Sequence, residues 1–202
     1  MLDPFARRLI DPGLNRMGQM LAGQGISANS VTFVGLGLGL IAALLIALGH
    51  PGLALLPLLA SRLADGLDGA VARATTRTDF GGYLDIAADF LFYGAVPMAF
   101  VWLNPAQNGA AGAFLLTSFY FNGASFLGYA TIAAKRGLQT QAQGPKSLYF
   151  SNGLLEGTET ILFFVALCLW PTAYSALSWS FGGLCFATGA WRIYGAFQTF
   201  KG

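Results

Sequence analysis

Four aspartates stand in this chain where a carboxylate is expensive. Asp65 and Asp68 interrupt one apolar run (LALLPLLA before them, GAVA after), and Asp85 and Asp89 interrupt another (GGYL before, FLFYGAVPMAF after). A charged carboxylate in apolar surroundings carries a large desolvation penalty, and inside a membrane it marks a functional site. The spacings i, i+3 and i, i+4 put each pair on one face of a helix. The linker between the pairs is short and holds Gly81 and Gly82, which predicts two antiparallel neighbouring helices. Four carboxylates then converge on one volume. Like charges that close do not all stay ionised without a cation between them, and hard oxygen ligands suit Mg²⁺, Mn²⁺ or Ca²⁺.

Written as a pattern, Asp65 to Asp89 reads D-x2-D-G-x2-A-R-x7-G-x3-D-x3-D, with Gly69, Ala72, Arg73 and Gly81 at the intervening fixed positions. This resembles the signature of the CDP-alcohol phosphotransferase (CDP-alcohol phosphatidyltransferase) family, integral membrane enzymes of phospholipid synthesis. A competing reading makes the aspartates partners of Arg62, Arg73 and Arg77 for assembly alone, but simple pairing does not explain the regular offsets. The resemblance implies a reaction. A CDP-linked lipid, most often CDP-diacylglycerol, gives its phosphatidyl group to an alcohol hydroxyl and releases CMP. It also implies roles: Asp65, Asp68, Asp85 and Asp89 for Mg²⁺ or Mn²⁺, and Asp89 as the general base. Gly69, Ala72, Arg73 and Asp68 are then expected on the nucleotide side, joined by Asn29 and Thr32 at the start of the first spanning helix. Gly69 has no Cβ, so a phosphate or base can approach its backbone. Arg73 lies one turn further on the same face, where a guanidinium can hold phosphate oxygens. Helix packing, a membrane anchor and helix capping are the plainer accounts of Gly69, Arg73 and Asn29.

The elements that position these residues follow from composition. The chain has 202 residues, 55% hydrophobic and only 10% charged, with mean hydropathy +0.59. A soluble domain carries about 25% charged residues, so the chain reads as a single all-α membrane domain. The net charge of +2 gives no reason to expect a nucleic-acid partner. Cys168 and Cys185 lie in apolar runs and read as small core residues. Residues 1–28 read as an amphipathic interfacial helix interrupted by Pro12-Gly13, its basic face toward lipid phosphates. Ser27 is a candidate N-cap for the first span. A span needs about 20 apolar residues. Six candidates follow, at 31–49, 53–75, 82–103, 109–134, 155–172 and 176–198, forming a bundle over 31–198. The family's fold, six helices around a polar cavity and commonly a homodimer, agrees.

Basic residues set the orientation. Arg7, Arg8 and Arg16 precede the first span. Arg73 and Arg77 lie at the second turn, Lys135, Arg136 and Lys146 at the fourth, and Lys201 at the end. The alternate turns carry no Lys or Arg. Both termini are therefore expected in the cytoplasm of a bacterial inner or other cell membrane, with the aspartates near that side. The acceptor, a small alcohol or polyol phosphate, is less defined. Lys135, Arg136, Lys146 and Arg192 are candidate cations for a phosphorylated acceptor. Glu156 and Glu159 can pair with cations, favour a helix N-terminus, or hydrogen-bond a polyol or amino alcohol. The alternative to an enzyme is a cation transporter or a binding-only family member. No internal repeat of the transporter kind is evident, and no signature aspartate is missing.

Overall fold

The structure is a computed structural model that describes residues 3–138, 155 and 157–201. Those residues form seven α-helices and one short 3₁₀ turn, without a strand: α1 (Asp3–Gly23), α2 (Ala28–Ala47), α3 (Pro51–Ala74), α4 (Asp79–Leu103), α5 (Pro105–Lys135), α6 (Gly157–Leu169), the turn Pro171–Ala173, and α7 (Tyr174–Phe200). Local chemistry fixes the starts. Ser27 caps α2, its Oγ accepting from the Ser30 amide at 3.2 Å. Thr78 caps α4, accepting from the Gly81 amide at 3.0 Å, and Asn104 caps α5, accepting from the Gln107 amide at 3.2 Å. Gly49, at φ +87°, takes the left-handed conformation that reverses the chain from α2 into α3.

Each expected span falls on a helix, but apolarity separates them. α2, α4 and α5 are long and apolar enough to cross a membrane. α6 and the segment Pro171–Phe200 meet that test only as a pair, bent by 114°. α3 falls outside it because Arg62, Asp65, Asp68 and Arg73 all lie within it. One expectation needs correction. Pro12-Gly13 does not interrupt the N-terminal segment, because α1 runs unbroken through Pro12. The proline lies on the exposed side of the helix, where the carbonyl that its missing N–H leaves unpaired is accessible to solvent or headgroups.

A second correction concerns the pair of helices that carry the aspartates. α3 and α4 meet mainly through long side chains, Arg62 of α3 reaching Asp89 and Phe92 of α4, while the extensive packing of both is on α2. The reason lies in the glycines of α2. A Cβ at Gly35 would sit 3.1 Å from the Ala64 Cβ of α3, and one at Gly39 would sit 2.6 Å from the Phe92 ring of α4. Without side chains there, α2 draws both helices against its own backbone. Gly39→Leu is therefore expected to separate α2 from α4 and lower the melting temperature of the purified protein; an unchanged thermal melt would contradict that packing.

The apolar core comes from one half of each helix: Ala42, Ala43 and Ile46 of α2, Ala54 and Leu58 of α3, Phe92, Val96 and Phe100 of α4, Leu115 of α5, and Phe164 and Leu167 of α6. Two polar groups inside it are bonded to backbone carbonyls. The Tyr174 hydroxyl donates to the Pro97 carbonyl at 3.1 Å, and the Asn108 amide donates to the Phe100 carbonyl at 2.8 Å. The aspartates belong mainly to the other halves, the C-terminal half of α3 and the N-terminal half of α4.

Candidate active site

Asp65 on α3 and Asp85 and Asp89 on α4 each offer a carboxylate oxygen, and the three oxygens lie within 4.8 Å of one another. Two helices that barely touch therefore bring three half-buried carboxylates together across the space between them. The donor set is all hard oxygen, which fits Mg²⁺ or Mn²⁺ and not a soft thiophilic ion.

The fourth aspartate is held differently. Asp68 is buried and accepts a 2.5 Å hydrogen bond from the Thr32 hydroxyl of α2. Thr32 also donates to the Ala28 carbonyl at 3.1 Å, so it ties the first turn of α2 to the signature. Asn29 lies nearby on the same turn. Its Oδ1 would be 3.2 Å from a Cβ at Gly81, and the Thr78 Oγ1 would be 3.0 Å away. Gly81 thus makes room for the cap of α4 and for Asn29 together.

Arg62 makes the ion pair its position suggests and a closer one besides. One turn before Asp65, it is expected to pair with Asp65. Its Nη1 lies 3.7 Å from Asp65 Oδ1 but donates to Asp89 Oδ1 at 2.6 Å. The guanidinium sits 3.8 Å from the centroid of the Phe92 ring, and Nη2 donates to Ser61 Oγ at 3.2 Å. An aromatic floor and two polar contacts fix this cation beside the cluster. Among the described residues its buried Nε finds no partner. Thr32, Gly35, Leu36, Ser61, Arg62, Asp65, Asp68 and Ala88 line a small pocket here.

Gly69 and Arg73 lie further along the same helix. A Cβ at Gly69 would meet only Arg73 Nη1, at 3.4 Å. Helix packing therefore does not require glycine there, whereas a Cβ would collide at Gly18 and Gly39 and press closely on Ala64 at Gly35. Gly69→Leu is expected to leave the fold intact and weaken nucleotide binding by at least about tenfold, roughly 1.4 kcal/mol. The check is the Kd for CDP-diacylglycerol beside a thermal melt; an unaltered Kd would remove Gly69 from the site. Ala72, half-buried, follows on the same helix. Arg73 donates through Nε and Nη2 to Asn15 Oδ1, at 3.3 and 2.9 Å. Asn15 gave no sequence signal, being one polar residue among several on α1.

The acceptor candidates are scattered. Lys135 is exposed at the end of α5. Arg136 donates to the Phe200 carbonyl at 3.2 Å and lies 5.3 Å from that residue's ring centroid, so it caps the end of α7. Arg192 is buried, its Nη1 donating to the Asn122 carbonyl at 3.0 Å, Asn122 Oδ1 at 2.7 Å and Ser125 Oγ at 2.9 Å. That set joins α7 to α5. Glu159 stands in the first turn of α6, where a negative charge favours the helix N-terminus. Lys146 and Glu156 lie outside the described residues.

Comparison with known proteins agrees with the signature. The family model described as CDP-alcohol phosphatidyltransferase matches residues 26–191. The chain is 43% identical over 201 residues to the inner membrane protein YnjF of Escherichia coli, covering 100% of this chain and 98% of that one. It is 40% identical over 92 residues to an archaetidylinositol phosphate synthase of Pyrococcus horikoshii, covering 45% of this chain and 48% of that one. Among solved structures, the phosphatidylinositol phosphate synthase of Mycobacterium tuberculosis with CDP-DAG bound superposes with a TM-score of 0.73 at 21% identity, over 91% of this chain and 93% of that one. The same synthase in complex with manganese and citrate also gives 0.73, at 22% identity, over 91% of this chain and 88% of that one. The extent of the family match, together with the filled signature and its converging carboxylates, makes this chain a member of the CDP-alcohol phosphatidyltransferase family, whose members are transferases of phosphate-containing groups.

Proposed function

We propose that this protein transfers a phosphatidyl group from CDP-diacylglycerol, or a similar CDP-lipid, to the hydroxyl of a small alcohol or polyol phosphate, releasing CMP. The observation that carries the reading is the convergence of Asp65, Asp85 and Asp89 within 4.8 Å, beside a fourth aspartate and an open glycine on the same signature. Asp65, Asp85 and Asp89, with Asp68 adjoining, are the residues that would hold Mg²⁺ or Mn²⁺. When bound, such an ion neutralises diphosphate charge and stabilises the departing CMP.

The remaining work belongs to the chain itself. Asp89 accepts the proton of the acceptor hydroxyl, and Arg62 holds its Oδ1 in place at 2.6 Å. The acceptor oxygen attacks the phosphorus that bears the diacylglycerol. The bond from that phosphorus to the bridging oxygen breaks, and CMP leaves with the bridging oxygen. Gly69 and Arg73 receive the nucleotide's phosphate side, with Thr32 and Asn29 at the adjoining turn of α2. Arg192 and the basic end of α5 are the reading for a phosphorylated acceptor. Two of the relatives are named for inositol phosphate products, which puts inositol 1-phosphate first among acceptors to try.

In this reading six helices span the membrane with both termini in the cytoplasm, the CDP-lipid's tails stay in the bilayer, and the protein works as a homodimer. CMP release by the purified protein, with CDP-diacylglycerol and Mg²⁺ or Mn²⁺, tests the proposal. The panel is inositol 1-phosphate, glycerol 3-phosphate, inositol and serine. Release with one acceptor identifies the reaction and the substrate. Neither CDP-lipid binding nor CMP release would contradict it and favour a binding or transport role.

A further inference from the structure

The N-terminal helix lies before the matched family region, which begins at residue 26, yet it touches the signature directly. Leu14 is buried, and its Cδ1 sits 2.8 Å from where a Cβ at Gly66 would be. A Cβ at Gly18 would lie 2.7 Å from the Ala70 Cβ and 2.8 Å from the Ala70 carbonyl carbon. Two contacts one turn apart thus fix the register of α1 on α3. Asn15 falls between them and accepts from both Nε and Nη2 of Arg73. Both side chains are exposed, but a single acceptor on a packed helix that takes two guanidinium N–H groups sets both the position and the plane of that group. The third nitrogen, Nη1, is left facing the bare backbone of Gly69, 3.4 Å from its Cβ position.

We propose that Asn15 is a positioning residue that aims Arg73 over Gly69 to receive a phosphate oxygen of the CDP-lipid, so that α1 completes the nucleotide site. This rests on the reading of Gly69 and Arg73 given above. An untethered arginine samples many rotamers, and holding one of them in advance removes that ordering cost from binding.

The test is the Kd for CDP-diacylglycerol, measured on the full-length protein in detergent, for Asn15→Ala, Asn15→Asp, Arg73→Ala and the Asn15→Ala/Arg73→Ala double variant. Asn15→Ala is expected to weaken binding roughly fivefold to tenfold, with Mn²⁺ affinity and thermal melt unchanged. Asn15→Asp, which keeps the acceptor oxygen, restores binding. The double variant matches Arg73→Ala, because the asparagine acts only through the arginine. If Asn15→Ala does not fold, Asn15→Gln serves in its place, since it displaces the acceptor by one methylene and keeps the polarity. Arg73→Ala binding as tightly as wild type would overturn the phosphate role of Arg73, and this inference with it. A weakened Arg73→Ala beside an unaffected Asn15→Ala would overturn the inference alone. A lowered melt with unchanged Kd in Asn15→Ala would make α1 a scaffold and nothing more.

Discussion

Asp89→Asn is expected to lower the rate of CMP release by about 10²–10⁴-fold, the usual worth of a positioned general base, while CDP-diacylglycerol still binds. The substitution keeps the size and the polar character of the side chain and removes its negative charge with its capacity to take a proton, leaving Asp65 and Asp85 of the cluster, with Asp68 adjoining, for the ion. Arg62 would not be released by it. Its guanidinium remains over the Phe92 ring at 3.8 Å and on Ser61 Oγ at 3.2 Å, so the local arrangement survives the loss of one charge. A single-turnover measurement of CMP release separates the chemical step from binding. Wild-type turnover in Asp89→Asn would withdraw the base assignment, and the proton would then have to go elsewhere.

The second large effect is on metal binding. Asp65→Ala is expected to weaken Mn²⁺ binding by more than about 100-fold, since even an outer partner of a metal ligand is worth roughly 10–100-fold. Asp65 is the only member of the 4.8 Å cluster that comes from α3; Asp85 and Asp89 both come from α4. Removing it leaves the pair on α4, with the Arg62 cation 2.6 Å from one of the two, and on α3 only Asp68, which is tied to the Thr32 hydroxyl. Titration of Mn²⁺ followed by its paramagnetic signal reads this without any substrate. Unchanged affinity would show that the ion is held by a different set of oxygens.

Much of this was legible in the sequence because it depends on spacing along one helix. The i, i+3 and i, i+4 aspartates, the Ser27 cap and the positions of the helices all follow from local periodicity. The site's cross-helix geometry does not. Arg62 is three residues from Asp65 in sequence, yet its shortest contact is with Asp89, 27 residues away, because the side chain reaches across a gap that α2 holds open. That gap was itself invisible. A short glycine linker suggests two helices in contact, while Gly35 and Gly39 of α2 decide that both pack on a third. Gly69 and Gly39 look alike as letters. Only the surroundings show that one faces a side-chain tip and the other an aromatic ring. Thr32 was expected beside the nucleotide; that it anchors Asp68 could be learned only once α2 and α3 were seen together.

The most direct test of the central claim is mass analysis of the lipid formed when the protein acts on CDP-diacylglycerol with Mn²⁺ and inositol 1-phosphate, together with the CMP released. The account predicts one new phospholipid, its mass that of a phosphatidyl group joined to the acceptor, formed one for one with CMP and about 10²–10⁴-fold more slowly with Asp89→Asn. CMP accompanied by phosphatidic acid alone, at the same rate with or without any of the four acceptors, would contradict it, because the site would then be delivering the group to water.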